Sequence, residues 1–460
     1  MRHVPRFVAL LTVVAATLTS TAGLASAATL PASAVTPVWG TYQTVAPARV
    51  LDTRSGKGAP KAAPIGPGGS ISLAMPAASG VPATGVSAVV LNVTVTAATR
   101  SSFLTVWPAG TPRPTASSIN FVAGTNRANL VTVPLGTIGS AAGKITIYNP
   151  LGSVQVIADV MGYYVADGAA TAGGFYERAV PERLLDTRDP SFGGALESGW
   201  SVSVPVDYND PATGIDVNSH ITALAVNITA VLPTKPGYLA SWDGGSALPT
   251  TSTLNFDAGT ITPNMAVVPV GPCIDCGTAT GLPSITVANR SPGGVNLLVD
   301  IVGFFDDGQL GDGLRFRPLP PTRIVDTRTG LGTTPLAAGQ ASAVTAPSSV
   351  AGNDTYSLVT NTTDVAPTLS GFLTLWADGD PIPLVSNLNA AKGQIVANAT
   401  ITDVGMGNVF NVYNNRGTTD VVVDVVGTME YVPSTPPAAA LSAAAAPRIW
   451  RNQITAQPVR

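Results

Sequence analysis

Short runs of apolar and β-branched residues recur along the chain, separated by turns rich in Gly, Pro, Ser and Asn. Apolar and polar positions alternate within these runs, which is typical of strands that bury one face, because successive side chains of a strand point to opposite sides. In Ala88–Thr96, Asn92 falls on one face and the predicted core residues fall on the other, namely Val89, Leu91, Val93 and Val95. Between the N-terminal apolar segment and the alanine-rich tail, no window keeps helical spacing. The pattern predicts an all-β protein.

Residues 45–166 contain eight such runs. Many short strands with frequent turns are typical of β-sandwiches and jelly rolls, so we predict a β-sandwich or jelly-roll-like domain here. The predicted strands are Arg49–Asp52, Ile71–Met75, Ala88–Thr96, Phe103–Trp107, Ser118–Val122, Leu130–Pro134, Lys144–Tyr148 and Val154–Tyr164.

The same pattern occurs three times. Each copy opens on Pro-x-Arg, two apolar residues and Asp-Thr-Arg, at Pro47–Arg54, Pro181–Arg188 and Pro321–Arg328. In every copy, eleven residues separate a strand Asn from the aromatic residue that begins a Trp-ending strand. The repeat is longer than the roughly 20 to 50 residues of solenoid repeats, so each copy is a whole domain. The predicted domains 1, 2 and 3, joined by Gly-rich linkers, are residues 45–166, 175–307 and 315–432.

Each domain closes on an apolar strand that carries one acid. A carboxylate in such a strand is costly unless it is paired and hydrogen-bonded, and the recurring cations are the arginines of the opening motif. We therefore predict that the motif strand lies beside the closing strand and that a motif Arg bonds the closing Asp. This structural clasp is favoured over a ligand site, because buried ion pairs usually serve geometry. Its residues are Arg49, Asp52, Arg54 and Asp159; Arg183, Asp186, Arg188 and Asp300; and Arg323, Asp326, Arg328 and Asp424.

A second repeated set offers the best candidates for ligand binding. A Trp face flanked by Asn side chains can stack on a sugar ring and hydrogen-bond its hydroxyls. The alternative is that Trp anchors the core and Asn satisfies turn backbone, and buried indoles would favour that alternative. The candidate glycan-binding residues are Trp107, Asn120 and Asn129; Trp242, Asn255 and Asn264; and Trp376, Asn389 and Asn398.

The two ends of the chain differ from the repeats. Arg2 and Arg6, an apolar stretch and Ala25-Ser-Ala27 form the pattern of a secretory signal peptide, residues 1–27, cut after Ala27. Residues 28–44 are a linker, and the Pro/Ala-rich residues 433–460 predict a flexible tail. No later run reaches the roughly 18 to 20 apolar residues of a spanning helix, so we predict no transmembrane anchor. We expect a secreted or cell-surface protein.

The charged fraction is low, 11%, but the mean hydropathy of +0.30 differs from the low hydrophobicity and high charge of disordered chains. Charge is unevenly spread. Residues 45–165 hold eight basic and two acidic side chains, whereas residues 179–308 hold four and thirteen. The basic first domain could attract a polyanion or dock on the second domain, although drift of surface charge is the simpler explanation.

Cysteine and histidine are scarce. In an exported protein the pair Cys273 and Cys276 is most simply a loop disulfide, since a thioredoxin-like site would open a helix. After signal-peptide removal His220 is the single histidine, so a catalytic triad or His-ligated metal cannot recur in every domain. We predict no catalytic residue, metal, cofactor or nucleic-acid partner. A glycan-active hydrolase in domain 2 is the alternative that two close carboxylates in an open cleft would favour.

The opening motif, the Leu91–Thr94 and Phe103–Trp107 runs and the Asp159–Tyr164 ending together resemble a module found in tandem in secreted proteins of actinobacteria. The resemblance covers nearly all of residues 45–432. It implies an exported, cell-surface or wall-associated protein and carries over no catalytic residues. Domain 3 departs from the pattern at Thr428-Met429, where domain 1 has an aromatic pair.

These observations predict a secreted, non-enzymatic binding or adhesion protein that engages envelope or environmental polysaccharide. Three weak sites on one chain would gain affinity by multivalency, which is a physical reason to repeat a binding domain. The alternative is a structural spacer whose domains stack without a ligand.

Overall fold

The described residues contain strands and four short 3-10 turns, and they contain no α-helix, so the all-β prediction is confirmed. The computed structural model describes residues 38–169, 173–209, 214–311, 313–433, 447–448, 454 and 456–459. The predicted signal peptide lies outside this part of the chain. We call the three repeat units module 1, module 2 and module 3.

Module 1 has eight strands at the eight predicted places, and the first begins nine residues earlier than the motif suggests. Its strands are β1 (Gly40–Asp52), β2 (Gly69–Ala74), β3 (Val86–Thr96), β4 (Ser102–Pro108), β5 (Ile119–Phe121), β6 (Arg127–Pro134), β7 (Lys144–Asn149) and β8 (Gln155–Ala166).

Modules 2 and 3 repeat this order, with one two-residue strand added in module 2. Module 2 has β9 (Tyr176–Asp186), β10 (Trp200–Pro205), β11 (Ala223–Val231), β12 (Gly237–Trp242), β13 (Leu254–Phe256), β14 (Ile261–Pro269), β15 (Gly271–Pro272), β16 (Pro283–Asn289) and β17 (Asn296–Phe305). Module 3 has β18 (Arg315–Asp326), β19 (Gln340–Thr345), β20 (Thr355–Val365), β21 (Gly371–Ala377), β22 (Leu388–Ala390), β23 (Ile395–Asp403), β24 (Val409–Asn414) and β25 (Asp420–Glu430).

Each module consists of two antiparallel sheets. In module 1 the inner sheet has the order β1-β8-β3-β6 and the outer sheet the order β2-β7-β4-β5. The inner sheet of module 2 is β9-β17-β11-β14, and that of module 3 is β18-β25-β20-β23. A pairing of β18 with β1, with Phe316 opposite Gly40, joins the inner sheets of modules 3 and 1 into one eight-stranded sheet. The motif strand lies beside the closing strand in every module, since β1 pairs with β8, β9 with β17 and β18 with β25.

The space between the two sheets of each module holds an apolar core. Val89, Leu91, Val93 and Val95 of β3 are buried in the core of module 1, as the alternation predicts. Modules 2 and 3 have equivalent cores of their own. Each repeat is therefore a complete sandwich.

The opposite face of each inner sheet is buried as well, because the modules pack on one another there. A fourth apolar cluster takes residues from all three modules, including Val90, Ala225 and Val359. Aromatic rings from different modules meet inside it, with the Tyr42 and Phe305 centroids 4.3 Å apart. Residues 37–460 thus form one compact unit.

The repeated Gly of the closing strand makes room for an aromatic residue at the start of the motif strand. A Cβ on Gly162 would lie 2.1 Å from the Tyr42 hydroxyl oxygen, and Gly303 stands in the same way against Tyr176. Glycine is required where a neighbouring side chain approaches the backbone so closely. The glycine recurs in every closing strand because each module packs an aromatic ring there.

The end of the tail differs from the prediction of a flexible segment. Residues 434–446 lie outside the described part, but β26 (Ala456–Pro458) pairs with the outer edge of β10. Ile454 is buried in the core of module 2. Burial of Ile454 and pairing with the open edge of β10 together offset the conformational entropy that the tail loses when it becomes ordered.

Asp364 in β20 makes the stability of module 3 sensitive to pH. Burial raises the pKa of Asp364 to about 6, although Thr419 Oγ1 donates a hydrogen bond that acts in the opposite direction. The folded-state pKa therefore lies above the unfolded value of about 3.9. Protonation favours the folded state, and this contribution is lost as pH rises through about 6.

As pH rises from about 4 to about 7, the free energy of unfolding should fall less in the Asp364→Asn variant than in the parent protein. The difference should be on the order of 2 kcal/mol, because the variant has no proton to release. Urea denaturation at a series of pH values measures it. Buried Asp403, whose pKa is also raised to about 6, should leave a residual slope. An identical slope in parent and variant would contradict this assignment.

Candidate functional site

The first motif arginine bonds the closing-strand aspartate in all three modules. Arg49 Nε lies 2.9 Å from Asp159 Oδ1, and the equivalent distance is 2.8 Å for both Arg183–Asp300 and Arg323–Asp424. The three aspartates are fully buried, and burial raises the pKa of each carboxyl while its Arg acts to lower it. Each pair joins the first strand of a module to its last.

The second motif arginine lies elsewhere. Arg54 Nη2 is 2.7 Å from Asp52 Oδ2, and Arg188 and Arg328 bond Asp186 and Asp326 at the same distance. The hydrogen bond from Arg54 holds the pKa of Asp52 below its usual range. These arginines are half exposed, so the pair fixes the turn after the motif and not the contact between strands.

The three repeated tryptophans are buried. Trp107, Trp242 and Trp376 are each less than 10% exposed. Every indole Nε1 donates to a backbone carbonyl four residues on, which for Trp107 is Thr111 O at 3.0 Å. The indoles anchor their own loops and present no face for a sugar to stack on. By the criterion set from the sequence, this favours the structural interpretation of the tryptophans.

Three of the repeated asparagines join the modules to one another. Asn264 Nδ2 donates to Asn92 Oδ1 of module 1 at 3.0 Å, and Leu130 N of module 1 donates to Asn264 Oδ1. Asn92 Nδ2 in turn donates to Ser252 O of module 2 at 2.6 Å. Asn264, Asn92 and Leu130 are all buried. One pair of side-chain amides thus makes three hydrogen bonds across this junction, and Arg127 Nη1 donates a further one to Thr262 Oγ1 at 3.0 Å.

The same contacts recur at the other two junctions and close a ring. Asn398 of module 3 donates to Asn227 of module 2 at 3.0 Å, and Asn129 of module 1 donates to Asn361 of module 3 at 2.9 Å. Each module thus contacts both of the others in the same way, around a pseudo-threefold arrangement. We call these residues the asparagine ring: Asn92, Asn129, Asn227, Asn264, Asn361 and Asn398.

The remaining three candidates, Asn120, Asn255 and Asn389, are partly buried. Each accepts a hydrogen bond from a Ser hydroxyl three residues earlier, for example from Ser117 Oγ to Asn120 at 3.0 Å. They order the loop that leads to the ring. The candidate glycan-binding residues thus form hydrogen bonds within their own loops and between modules.

A large cleft opens where module 2 meets module 3. Its volume is about 890 Å³. One wall is the motif strand of module 2 with the turn that follows it, and the other is the loop before β22 of module 3. We call it the junction cleft, and its lining residues include Val180, Pro181, Glu182, Arg183, Asp186, Arg188, Asp189, Phe192, Leu384 and Val385.

The residues of the junction cleft depart from the threefold repeat. A separate cavity of about 20 Å³ lies between modules 3 and 1, beside Asn361 and Asp424. Three cleft residues are not repeated in sequence: Leu384 stands where modules 1 and 2 have Thr115 and Thr250, Glu182 replaces Ala48 and Thr322, and Val180 replaces Ala46 and Pro320. Leu384 is 96% exposed at the rim.

The cleft is lined by the carboxylates of Glu182, Asp186 and Asp189, which bear on the hydrolase alternative for domain 2. Glycoside hydrolysis needs one carboxylic acid with a raised pKa to protonate the leaving group. Burial of Asp186 acts in that direction, but the hydrogen bonds and charge of Arg188 outweigh it and hold the pKa of Asp186 below its usual range. Asp186 is therefore suited to accept hydrogen bonds and poorly suited to donate a proton.

Two further sequence predictions concern cysteines and membranes. Cys273 and Cys276 form a disulfide, with Cα atoms 5.9 Å apart, in the loop before β16. Among the residues that the structure describes, no helix is long and apolar enough to cross a membrane. Within the same ranges, no three His, Cys, Asp or Glu side chains come together as a metal site requires.

No protein-family model matches the chain, and no curated protein matches it. Two solved structures are similar to it at a low level. One is described as the triple jelly roll fold and turret assembly in an archaeal virus, with 10% identity, coverage of 86% of this chain and 91% of the other, and a TM-score of 0.17. The second, from the atomic structure of Sulfolobus turreted icosahedral virus, has 10% identity, coverage of 86% and 92%, and a TM-score of 0.16. At these TM-scores the likeness carries no conclusion about this chain.

Proposed function

We propose that this is an exported, non-enzymatic binding protein of the cell surface or extracellular space, whose ligand is a neutral glycan held in the junction cleft. The observation that carries the proposal is the cleft of about 890 Å³ between modules 2 and 3. The repeated asparagines and Arg–Asp pairs, in contrast, stabilise the modules and their contacts with one another. Ligand sites of drug-sized molecules have volumes of roughly 300–1,000 Å³. The cleft has room for a short oligosaccharide.

The chemistry of the cleft suits a polyhydroxylated ligand. Carboxylates accept hydrogen bonds from hydroxyls and guanidinium groups donate to them, and the cleft offers Glu182, Asp186 and Arg188 on one wall. Val180 and Leu384 add exposed apolar surface that can cover the C–H face of a sugar ring. Acidic and basic groups occur side by side, which favours a neutral ligand over a polyanion.

A purely structural protein is the second candidate, and the asparagine ring favours it. The ring, the Arg–Asp pairs and the shared apolar cluster join the three modules into one unit. A unit of this kind could hold other parts of an envelope at a fixed separation without any ligand. Binding measurements on the cleft distinguish the two candidates.

We expect the double variant Glu182→Ala, Leu384→Thr to lose at least about tenfold of glycan affinity, because it removes a hydroxyl acceptor and an apolar contact together. Both new residues already occur at equivalent positions of the repeat, so the fold should tolerate them. The assay is retention of the mature chain on insoluble peptidoglycan and neutral polysaccharides at low and high salt. Retention by a neutral ligand should resist salt.

Leu369→Thr is the matched control, since Leu369 is an exposed leucine of module 3 outside the cleft. It should bind like the parent protein. If the parent is not retained on any glycan, the structural candidate replaces the proposal. If retention disappears at high salt and does not depend on the cleft residues, the basic surface of module 1 is the binding site instead.

A further inference from the structure

The tail strand covers one of three equivalent sheet edges. β26 pairs with the first half of β10, with Trp200 opposite Pro458 and Val202 opposite Ala456. Val459 N donates to Gly199 O at one end, and Arg448 N donates to Asp207 O at the other. Ile454, two residues before Ala456, reaches the core of module 2. The outer sheet of module 2 is thus completed by an added strand.

Among the described strands, none pairs with the corresponding edges of modules 1 and 3. β2 and β19 are the outermost strands of their sheets, and no described residue pairs with their outer sides. The register identifies equivalent positions, because Ser70 lies opposite Tyr148 and Ala341 lies opposite Tyr413, as Ser201 does opposite Ala288. Ser72 and Ala343 therefore correspond to Ser203 of β10.

These two edges also lack the usual protection. Edge strands of soluble proteins commonly carry Lys, Pro or a bulge that prevents pairing with another strand. β2 reads Gly-Ser-Ile-Ser-Leu-Ala and β19 reads Gln-Ala-Ser-Ala-Val-Thr, with no charge and no proline. Leu73 and Val344 stand at the position of Val204 in β10, and all three side chains are buried. The two strands themselves therefore present neither a charge nor a proline to an incoming strand.

We propose that β2 and β19 are docking edges for the C-terminal segment of a second copy of this chain, residues 447–460, which adds a strand there as it does on β10. Main-chain hydrogen bonds supply the affinity in such strand addition, and a side-chain pocket supplies the specificity. Ile454 is the apolar anchor. This inference does not depend on the junction cleft.

Charge ranks the two edges. The segment 447–460 contains three arginines and no acid. Residues 315–432 hold nine acidic and six basic side chains, whereas residues 45–165 hold two and eight. The segment therefore binds β19 more tightly than β2, and the difference shrinks as salt is added. Pairing with a second copy requires the segment to leave its own β10, where the tether keeps its effective concentration high, so this pairing depends on protein concentration.

The test is a titration of a synthetic peptide of residues 447–460 into the full-length protein. Up to two peptides should bind per chain, and the tighter site should be the one on β19. A peptide carrying Ile454→Asp should bind at least about tenfold more weakly, because it lacks the apolar anchor. Backbone amide exchange of the native protein should slow at Ser72 and Ala343 when peptide is added.

Proline variants assign the two sites. Val206 N donates to Pro283 O of β16, so the N–H of Val206 points into the sheet. Successive N–H groups of a strand point to opposite sides, so the N–H of Ser203 points away from β16, towards the free edge. The equivalent residues Ser72 and Ala343 have the same orientation. Ala343→Pro should remove the tighter site and Ser72→Pro the weaker one, without loss of a ladder hydrogen bond. Absence of peptide binding, or binding and amide protection confined to β10, would overturn the proposal.

Discussion

Replacing Asn264 by alanine is expected to lower the free energy of unfolding by roughly 3–6 kcal/mol. The Asn264 side chain serves three buried partners: Asn92 Oδ1 at 3.0 Å, Thr253 O at 2.6 Å and Leu130 N at 3.2 Å. Alanine leaves all three without this partner. A buried polar group that loses its hydrogen bond costs about 1–3 kcal/mol, and two of these groups belong to the neighbouring module.

The loss should also reduce cooperativity between modules. Each junction of the asparagine ring contains one such pair, so a break at modules 1 and 2 leaves the other two junctions intact. Urea denaturation and calorimetry should show a lower midpoint and a broader transition. Asn255→Ala is the matched control, because Asn255 only accepts a bond from Ser252 Oγ at a partly exposed position and should cost less than about 1 kcal/mol. Equal losses in the two variants would contradict the ring.

The sequence predicts the interior of each module well, because the alternation of apolar and polar residues within a strand identifies the side chains that face the core. Alternation in β3 assigns Val89 and Leu91 to the core, and the structure buries both. Equal spacing of motifs aligns the three repeats, so each strand of module 1 has a counterpart in the others. The isolated acid in a closing strand also points to the motif arginine, since a buried carboxylate needs a cation.

The contacts between modules could not be predicted in this way. Val90, on the polar side of the β3 pattern, is buried because another module covers it, and alternation cannot identify which surface does so. Asn92 sets the register of the repeat, yet its partner lies 172 residues away in Asn264. A signal was nevertheless present: an Asn at the same place in every inner strand, beside apolar residues, indicates a buried amide that needs partners.

The junction cleft illustrates the opposite case, in which the informative residues are those that the repeat does not share. Leu384 stands where the other modules have Thr, and an exposed leucine in a loop is an unusual replacement. Comparison of the three copies identifies this exception. Leu384 and Glu182 line the same cleft because the asparagine ring brings modules 2 and 3 together, and only the structure reveals that contact.

Replacing Arg49 by methionine is expected to lower the free energy of unfolding by about 3–5 kcal/mol, because a buried charge that loses its partner is strongly destabilising. Arg49 Nε is 2.9 Å from Asp159, whose carboxylate is fully buried between β1 and β3. Arg54→Met is the control. Arg54 is half exposed and bonds Asp52 at the motif turn, so its loss should cost under about 1 kcal/mol.

The pH dependence and a double variant show whether the unpaired charge causes the loss. Without Arg49, the already raised pKa of Asp159 should rise further, so the Arg49→Met variant should recover stability as pH falls to about 4, where the acid is protonated in the folded state. Arg49→Met combined with Asp159→Leu should restore most of the loss at neutral pH, since an apolar pair of similar volume needs no counter-charge. If the double variant is as unstable as the single one, the arginine acts through packing of its stem on β1, and the ion pair itself adds little.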